Sequence, residues 1–402
     1  MDLSASATQE LPLDQISFDN TEIAFASRSD ADLRRAWWLF RMIGQPALVR
    51  WGKPMTRLAF GLGLPIEPLI KETLFRQFVG GESIEACEST IAGLANYEIG
   101  SILDYSAEGK SDEANFDHTR DEILRMLERA AGDERIPFAV FKPTGLARPQ
   151  LLEKASQWGS LNPEEEAELA RFKARVEMIC LKAVNVGTPV LIDAEESWLQ
   201  PVCDRLALEL MQRFNREQAW VWNTLQMYRR DRLDYLGDLL NLAVREGFQL
   251  GLKLVRGAYM EKEREHAVAR GLSSPIHADK TGTDQAFDGA VSLCLEQLVH
   301  VSFCCGSHNE ASNYKLMSGM ESLDISRRDP RIWFAQLLGM SDHISYNLAR
   351  AGYNVAKYVP YAPIRDLVPY LMRRAEENTS VAGQSSRELD LLQREMQRRK
   401  LL

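Results

Sequence analysis

The chain has 402 residues, enough for two or three domains of ~150 residues or for one (β/α) barrel with additions. Hydrophobic residues make up 45% and charged residues 26%, which excludes a largely disordered chain. The net charge of −9 speaks against a sequence-independent grip on nucleic acid, although it leaves room for a local basic pocket.

Residues 1–97 read as helical. Asp30–Trp51 and Ile66–Phe78 carry apolar residues at helical spacing, among them Trp37, Trp38, Phe40 and Leu48. A further helical stretch, Ser83–Glu98, follows Gly80-Gly81. From there short β-rich runs alternate with amphipathic segments: Ser101–Tyr105, Pro137–Lys142, Pro189–Asp193, Ala219–Gln226, Leu250–Val255, His300–Cys305, Ile332–Leu338 and Asn354–Tyr358. Between them the pattern predicts helices over Asp112–Ala131, Pro163–Val184, Leu199–Arg216, Asp231–Glu246, Asp284–Gln297 and Ser341–Arg350. The runs are apolar on both faces, as parallel strands covered by helices are. Eight strand–helix units are the arithmetic of a (β/α)8 barrel, with a doubly wound sheet as the competing arrangement. The expected division is a helical region (1–97), a barrel (98–385) and a C-terminal amphipathic helix (386–402). In the last of these, Leu389, Leu392 and Met396 share a face that either docks on the barrel or meets a partner or membrane surface.

Targeting and cofactor motifs are sparse. The N-terminal Met1-Asp2-Leu3-Ser4 is acidic and polar where a signal peptide would be basic and then apolar. The longest apolar run, Ala59–Ile70, is broken by Pro65, Glu67 and Pro68 and is too short to span a bilayer. The six cysteines, Cys87, Cys180, Cys203, Cys294, Cys304 and Cys305, form no CxxC pair and sit mostly among apolar neighbours, which predicts reduced thiols and a cytoplasmic setting. Gly61-Leu62-Gly63 has Ile66 where a dinucleotide fingerprint needs its third glycine. Cys304, Cys305 and His308 cluster in sequence, but neighbouring strand residues point to opposite faces, so no metal is expected.

Chemistry in a barrel sits at the C-terminal ends of its strands. Here those ends carry Lys142, Asp193, Gln226, Lys253 with Arg256-Gly257-Ala258-Tyr259, Ser307-His308-Asn309, Gln336-Leu337-Leu338-Gly339 and Tyr358. Seven of eight predicted strands thus end in hydrogen-bonding groups, as a large polar ligand in the barrel mouth would require. Beyond the eighth strand, Tyr370-Leu371-Met372-Arg373-Arg374-Ala375-Glu376-Glu377-Asn378 reads in two ways. It is either a salt-bridged helix face or, if that helix lies over the mouth, a guanidinium clamp for a small carboxylate.

Taken together, these segments resemble the proline dehydrogenase family, from about Phe78 to Ser380. The resemblance rests on Ile102-Leu103-Asp104-Tyr105-Ser106, Leu191-Ile192-Asp193-Ala194-Glu195-Glu196-Ser197, Lys253–Tyr259, Gly306–Asn309, Gln336–Met340 and Tyr370–Asn378, in order. It implies a distorted (β/α)8 TIM-type barrel with non-covalent FAD in its mouth and the eighth helix folded over it. It further implies hydride transfer from L-proline to flavin N5, with electrons passed to a quinone at a membrane surface, the matrix side if the source is eukaryotic. The length resembles that of the free-standing enzyme.

By resemblance, Arg373, Arg374 and Lys142 hold the substrate carboxylate, Tyr358 and Leu338 pack on its ring, and Asp193 lines the site. Gln226, Arg256, Gly257, Ala258, Ser307, His308 and Glu377 contact FAD, with Lys253 beside the isoalloxazine. Many bacterial relatives carry arginine where Lys253 stands and lysine where Arg256 stands, an exchange of a point donor and a fork. The rival readings are a trans-4-hydroxyproline dehydrogenase, for which Tyr358 leaves little room, and a folate-dependent flavin barrel reductase, which would not need paired arginines. A non-enzymatic scaffold is the third.

Overall fold

The computed structural model describes residues 12–44, 67–106, 112–157, 159–380 and 384–402. Eight parallel strands close into a barrel in sequence order: β1 (Ile99–Tyr105), β2 (Phe138–Phe141), β3 (Val190–Ile192), β4 (Val221–Gln226), β5 (Leu250–Val255), β6 (Val301–Gly306), β7 (Ile332–Leu337) and β8 (Val355–Tyr361). The strand count, order and barrel therefore match the sequence expectation, and the doubly wound alternative falls because β8 completes a closed sheet.

Beside two further short α segments that flank the turn at Lys71–Phe75, helices precede, separate and follow the strands. In chain order they are α1 (Thr21–Ala24), α2 (Asp30–Ile43), α3 (Glu88–Ala95), α4 (Glu113–Ala130), α5 (Pro149–Ser156), α6 (Pro163–Val186), α7 (Gln200–Phe214), α8 (Arg232–Glu246), α9 (Met260–Ala269), α10 (Lys280–Glu296), α11 (Glu310–Ser322), α12 (Asp342–Arg350), α13 (Ile364–Ser380) and α14 (Gln384–Arg398). Local chemistry sets their ends. Asn162 caps α6 through a reciprocal box with Glu165, and Pro163 stands at the first helical position, where no N–H is needed.

The differences from expectation have local causes. The stretch read as one helix over Ile66–Phe78 contains a π-helical turn at Lys71–Phe75 between short α segments. Within Ser83–Glu98 only Glu88–Ala95 is α-helical, after a 3-10 turn at Glu85–Cys87. The helices α5, α9 and α11 were not read as helices in the sequence. The eighth strand runs on to Tyr361 through Pro360, which has no N–H to donate but whose carbonyl accepts from Gly80 N–H at 2.9 Å. Residues 45–51 of the helix expected over Asp30–Trp51, the Gly61-Leu62-Gly63 segment and Ala59–Ile66 lie outside the described residues.

The chain separates into two compact units. One comprises Ile102–Tyr105 and Lys110–Ala335; the other comprises Met1–Ser101, Ser106–Gly109 and Gln336–Leu402. In the first, parallel register sets Ile102 beside Phe138 and Asp104 beside Val140, then Thr224 beside Lys253 and Lys253 beside Cys304. The same parity brings Phe138 edge-on to Trp222 (ring centroids 4.9 Å apart) and to Trp333 (5.3 Å). In the second unit, α14 packs along α2: of the face predicted for the C-terminal helix, Leu392 and Met396 are buried and Leu389 is half-buried, while Leu391 is buried beside them, so most of that face is covered within its own unit.

Candidate active site

The strand ends of the larger unit gather the polar residues the sequence pointed to. Lys142, directly after β2, donates to Asp104 Oδ2 on β1 at 2.8 Å. Asp104 is fully buried, and Lys142 reaches solvent with about a fifth of its side chain (22%), so the ammonium is the open end of this pair. Asp193 follows β3, where its backbone N–H bonds to Phe141 O at 2.9 Å and its carboxylate pairs with Lys253 on β5. Both members of that second pair are nearly buried.

Gln226 ends β4 with its side-chain amide used at both ends. Nε2 donates to Glu195 O (2.7 Å) and Oε1 accepts from Ala258 N–H (3.0 Å), so the loops after β3 and β5 are tied across the end of β4. Arg256 spreads its fork over three acceptors: Asp284 Oδ1 (2.8 Å), Ser307 Oγ (2.7 Å) and Ser312 Oγ (2.8 Å), with the guanidinium 4.5 Å from the Phe287 ring centroid. A lysine there could reach one of these acceptors well, but not all three in a plane. Gly257 adopts φ +138°, and a Cβ built there would lie 2.5 Å from the Tyr228 ring, so only glycine fits this turn out of β5. Ser307 binds Ala335 O through its N–H (3.1 Å), and His308 beside it is half-buried.

The remaining site residues of the sequence reading belong to the other unit. Tyr358, on β8, is buried, and its carbonyl accepts from Leu338 N–H at 2.9 Å, which holds these two side by side. Arg374, on α13, is buried, with its guanidinium 5.1 Å from the Tyr370 ring centroid, and Arg373 is half-buried. The side chain of Glu377 lies outside the described residues.

Two carboxylates that the sequence reading quoted without giving a role hold the first constellation together. Asp104 is the buried partner of Lys142. Glu195 accepts from Thr144 N–H (2.8 Å) and Thr144 Oγ1 (2.6 Å), joining the loop after β3 to the loop after β2. Burial pushes the Glu195 carboxyl up to about 7, against the lowering effect of the two Thr144 hydrogen bonds. The available signal was a charged residue inside an apolar strand run, which must find a partner to be buried. Beyond Glu195, the same loop is strapped to α9. Glu196 pairs with Lys262 (2.5 Å), Ser197 N–H and Oγ donate to the buried Glu263 (2.6 and 2.5 Å), and Trp198 stacks on His266 at 3.8 Å. Among the described residues no three His, Cys, Asp or Glu side chains come together as a metal would need.

A cofactor with a polar ring edge and phosphates fits the donor set of the larger unit. Lys253, Arg256, Gln226, Ser307 and His308 stand at the ends of three adjacent strands, and the buried Thr224 Oγ1, level with Lys253, has no hydrogen-bond partner. Thr224 and Gln226 share one face of β4.

The proline dehydrogenase family model matches residues 87–387. The carbapenem antibiotics biosynthesis protein CarD of Pectobacterium carotovorum subsp. carotovorum is 36% identical over 322 residues, covering 80% of this chain and 83% of that protein. A hydroxyproline dehydrogenase of Bos taurus is 31% identical over 434 residues, covering 96% and 94%. The mitochondrial proline dehydrogenase 1 of Homo sapiens is 39% identical over 254 residues, covering 61% of this chain and 42% of its own. In fold, the chain is similar to the crystal structure of proline utilization A from Bdellovibrio bacteriovorus inactivated by N-propargylglycine, with a TM-score of 0.69 at 19% identity. That likeness covers 91% of this chain, which spans 36% of the longer one.

Proposed function

The chain belongs to the proline dehydrogenase family, and from that premise we propose that it oxidises L-proline to 1-pyrroline-5-carboxylate with FAD and passes the electrons to a quinone, opening proline degradation. The observation that carries the reading is the pair of lysine–aspartate contacts at the strand ends, Lys142–Asp104 and Lys253–Asp193, within the matched residues. FAD, when bound, supplies the hydride acceptor; Gln226, Lys253, Arg256, Gly257, Ala258, Ser307, His308 and Glu377 are the residues assigned to hold it.

The protein's part is orientation and electrostatics. The family resemblance assigns Arg373, Arg374 and Lys142 to the substrate carboxylate, an acid group that the planar forks of the two arginines are suited to fix. The same cations disfavour a second positive charge on the substrate nitrogen and so keep the amine neutral, with its lone pair available. Leu338 and Tyr358, joined through their backbones, present apolar surface to the ring and exclude water from it. Asp193 keeps Lys253 in one place, a fixed positive charge that would stabilise negative charge on a cofactor held beside it.

A hydroxyproline substrate is the second reading, favoured by the hydroxyproline dehydrogenase relative that covers 96% of this chain. The buried, bulky Tyr358 argues for the unsubstituted ring. Equal turnover of trans-4-hydroxyproline and proline would reverse the choice.

The test of the proposal is colour. Purified protein is expected to absorb in the flavin bands and to bleach when proline is added without oxygen; colourless protein, or colour that proline leaves intact, would refute it. Arg374→Ala is expected to keep the flavin and to raise KM for proline ~100-fold, the worth of a charge-assisted fork; unchanged KM would remove the arginine from the clamp.

The quinone implies a peripheral meeting with a membrane surface. No described helix is long and apolar enough to cross a membrane. Because most of the apolar face of α14 is covered, the more open candidate for that meeting is Trp38 on α2, 58% exposed. Replacing Trp38 with serine should weaken vesicle binding, and removal of residues 387–402 should not act through that face.

A further inference from the structure

The loop that follows β7 is gripped, residue by residue, by buried and half-buried polar groups that the catalytic reading does not use. Gln77 Nε2 donates to Gly339 O at 2.7 Å. Lys357 Nζ, on β8 and wholly buried, donates to Met340 O at 2.6 Å and pairs with Asp342 at 2.9 Å. Arg28 donates to the same Asp342 at 2.9 Å. Glu388, from α14, accepts the backbone N–H of Ser341. Four consecutive residues, 339 to 342, are thus held by four side chains from four separate stretches of one unit. Arg28, Gln77, Asp342 and Glu388 also line one small cavity with Phe40.

The loop is built to be held rather than to relax. Gly339 (φ +75°) passes so close to Gln77 that a Cβ would lie 2.0 Å from the Gln77 carbonyl oxygen, and Ser341 sits at φ +50°, where a non-glycine residue is uncommon. Glu388 is 3% exposed, and burial raises its pKa. A carboxylate buried at such cost against a backbone N–H makes sense if the position of that backbone matters. The residue at the head of the loop is Leu338, whose N–H bonds to Tyr358 O.

We propose that Glu388, on the C-terminal helix, is a positioning residue for substrate-ring selection: it fixes the loop 339–342 and thereby holds Leu338 against Tyr358. The proposal rests on the assignment of Leu338 and Tyr358 to the substrate ring. It gives the C-terminal helix a task in specificity, exerted from outside the strand ends.

The experiment uses the holoenzyme in wild-type, Glu388→Ala and Glu388→Gln forms. It reads hydrogen exchange of the backbone over 336–345 together with steady-state kinetics on L-proline and trans-4-hydroxyproline. Glu388→Ala should speed exchange in that segment about 10-fold, as loss of a charge-assisted hydrogen bond would, without speeding it in β4 and β5. It should also raise KM for proline about 10-fold with kcat within about 2-fold, and narrow the preference for proline over hydroxyproline. Glu388→Gln keeps an acceptor oxygen and should restore most of both. Unchanged exchange in 336–345, or uniform acceleration everywhere with an unchanged substrate preference, would overturn the proposal. If Glu388→Ala does not fold, Gln77→Leu, which releases the same loop at Gly339, is read against the same outcomes. Should the wild type fail to oxidise proline, the proposed function falls, and the exchange arm still decides whether Glu388 holds the loop.

Discussion

Among the described residues each compact unit holds a buried lysine–aspartate pair with its lysine on a barrel strand, Lys253–Asp193 in one and Lys357–Asp342 in the other, and they are put to different uses. Lys253 on β5 meets Asp193 at the end of β3, with both side chains slightly open (8% and 14% exposed). Lys357 on β8 meets Asp342 at the start of α12 with no exposure of the lysine at all, and spends its remaining donors on loop carbonyls. Strand parity makes the difference. Lys253 stands level with Cys304 and Thr224 among the strand-end residues, whereas Lys357 is one residue from Tyr358 in a β-strand and so points the opposite way. A buried ion pair is therefore no guide to an active site by itself. Its worth to function depends on whether ligand or helix covers it.

The comparison can be broken at either pair. Lys357→Met leaves Asp342 buried with Arg28 as its remaining cation, and should cost ~3–5 kcal/mol in denaturant unfolding. If it costs less than about 1 kcal/mol, the pair is not structural in this sense. Lys253→Met should lower kcat ~10²–10³-fold, the scale of losing one electrostatic stabiliser, with a smaller loss of stability than Lys357→Met. The reverse ranking in stability would erase the distinction.

A weaker probe is acid. Burial pushes the Asp342 carboxyl up, but Lys357 and Arg28 more than offset this and hold it at about 2, below its ordinary 3.8. A depressed folded pKa means the pair's contribution is present above about pH 4 and lost as pH falls through about 2. Asp342→Asn should be less stable at neutral pH and should lack that acid limb in a pH series of melting temperatures. The smallest effect belongs to Glu195. Its carboxyl is raised from 4.5 to about 7, so its contribution is full at low pH and declines as pH rises through about 7. Glu195→Gln should flatten stability across that window, at a cost of about 1 kcal/mol from the weakened Thr144 contact. A steeper slope in the variant would contradict the burial argument.

The barrel could be read in the sequence because its strands are short, doubly apolar and separated by helical periods, and because polar residues recur at each strand's end. The pairing of Lys253 with Asp193, and of Arg256 with Ser307, is not visible that way; it depends on the register of β3, β5 and β6. Asp104 and Glu195 stood in plain sight within quoted motifs, yet their partners, Lys142 and Thr144, lie 38 and 51 residues away. Lys357 was hidden for another reason. It lies inside an apolar strand run beside Tyr358, and nothing in that run shows that Met340 and Asp342, 17 and 15 residues before it, cover its ammonium. The apolar stripe of the C-terminal helix was legible, but a stripe does not name what covers it, and α2 does.

The six cysteines also make the two units separately observable in time. All are buried and none is bonded to another; Cys87 lies in the unit formed by the chain's two ends, while Cys180, Cys203, Cys294, Cys304 and Cys305 lie in the other. Burial raises the pKa of each, to about 12 at Cys87 and Cys304, so none reacts until the structure around it opens. An alkylating reagent added to the native protein thus writes a mass record of opening. One adduct arriving before the other five would time the release of the first unit alone, and six arriving together would show that neither opens without the other.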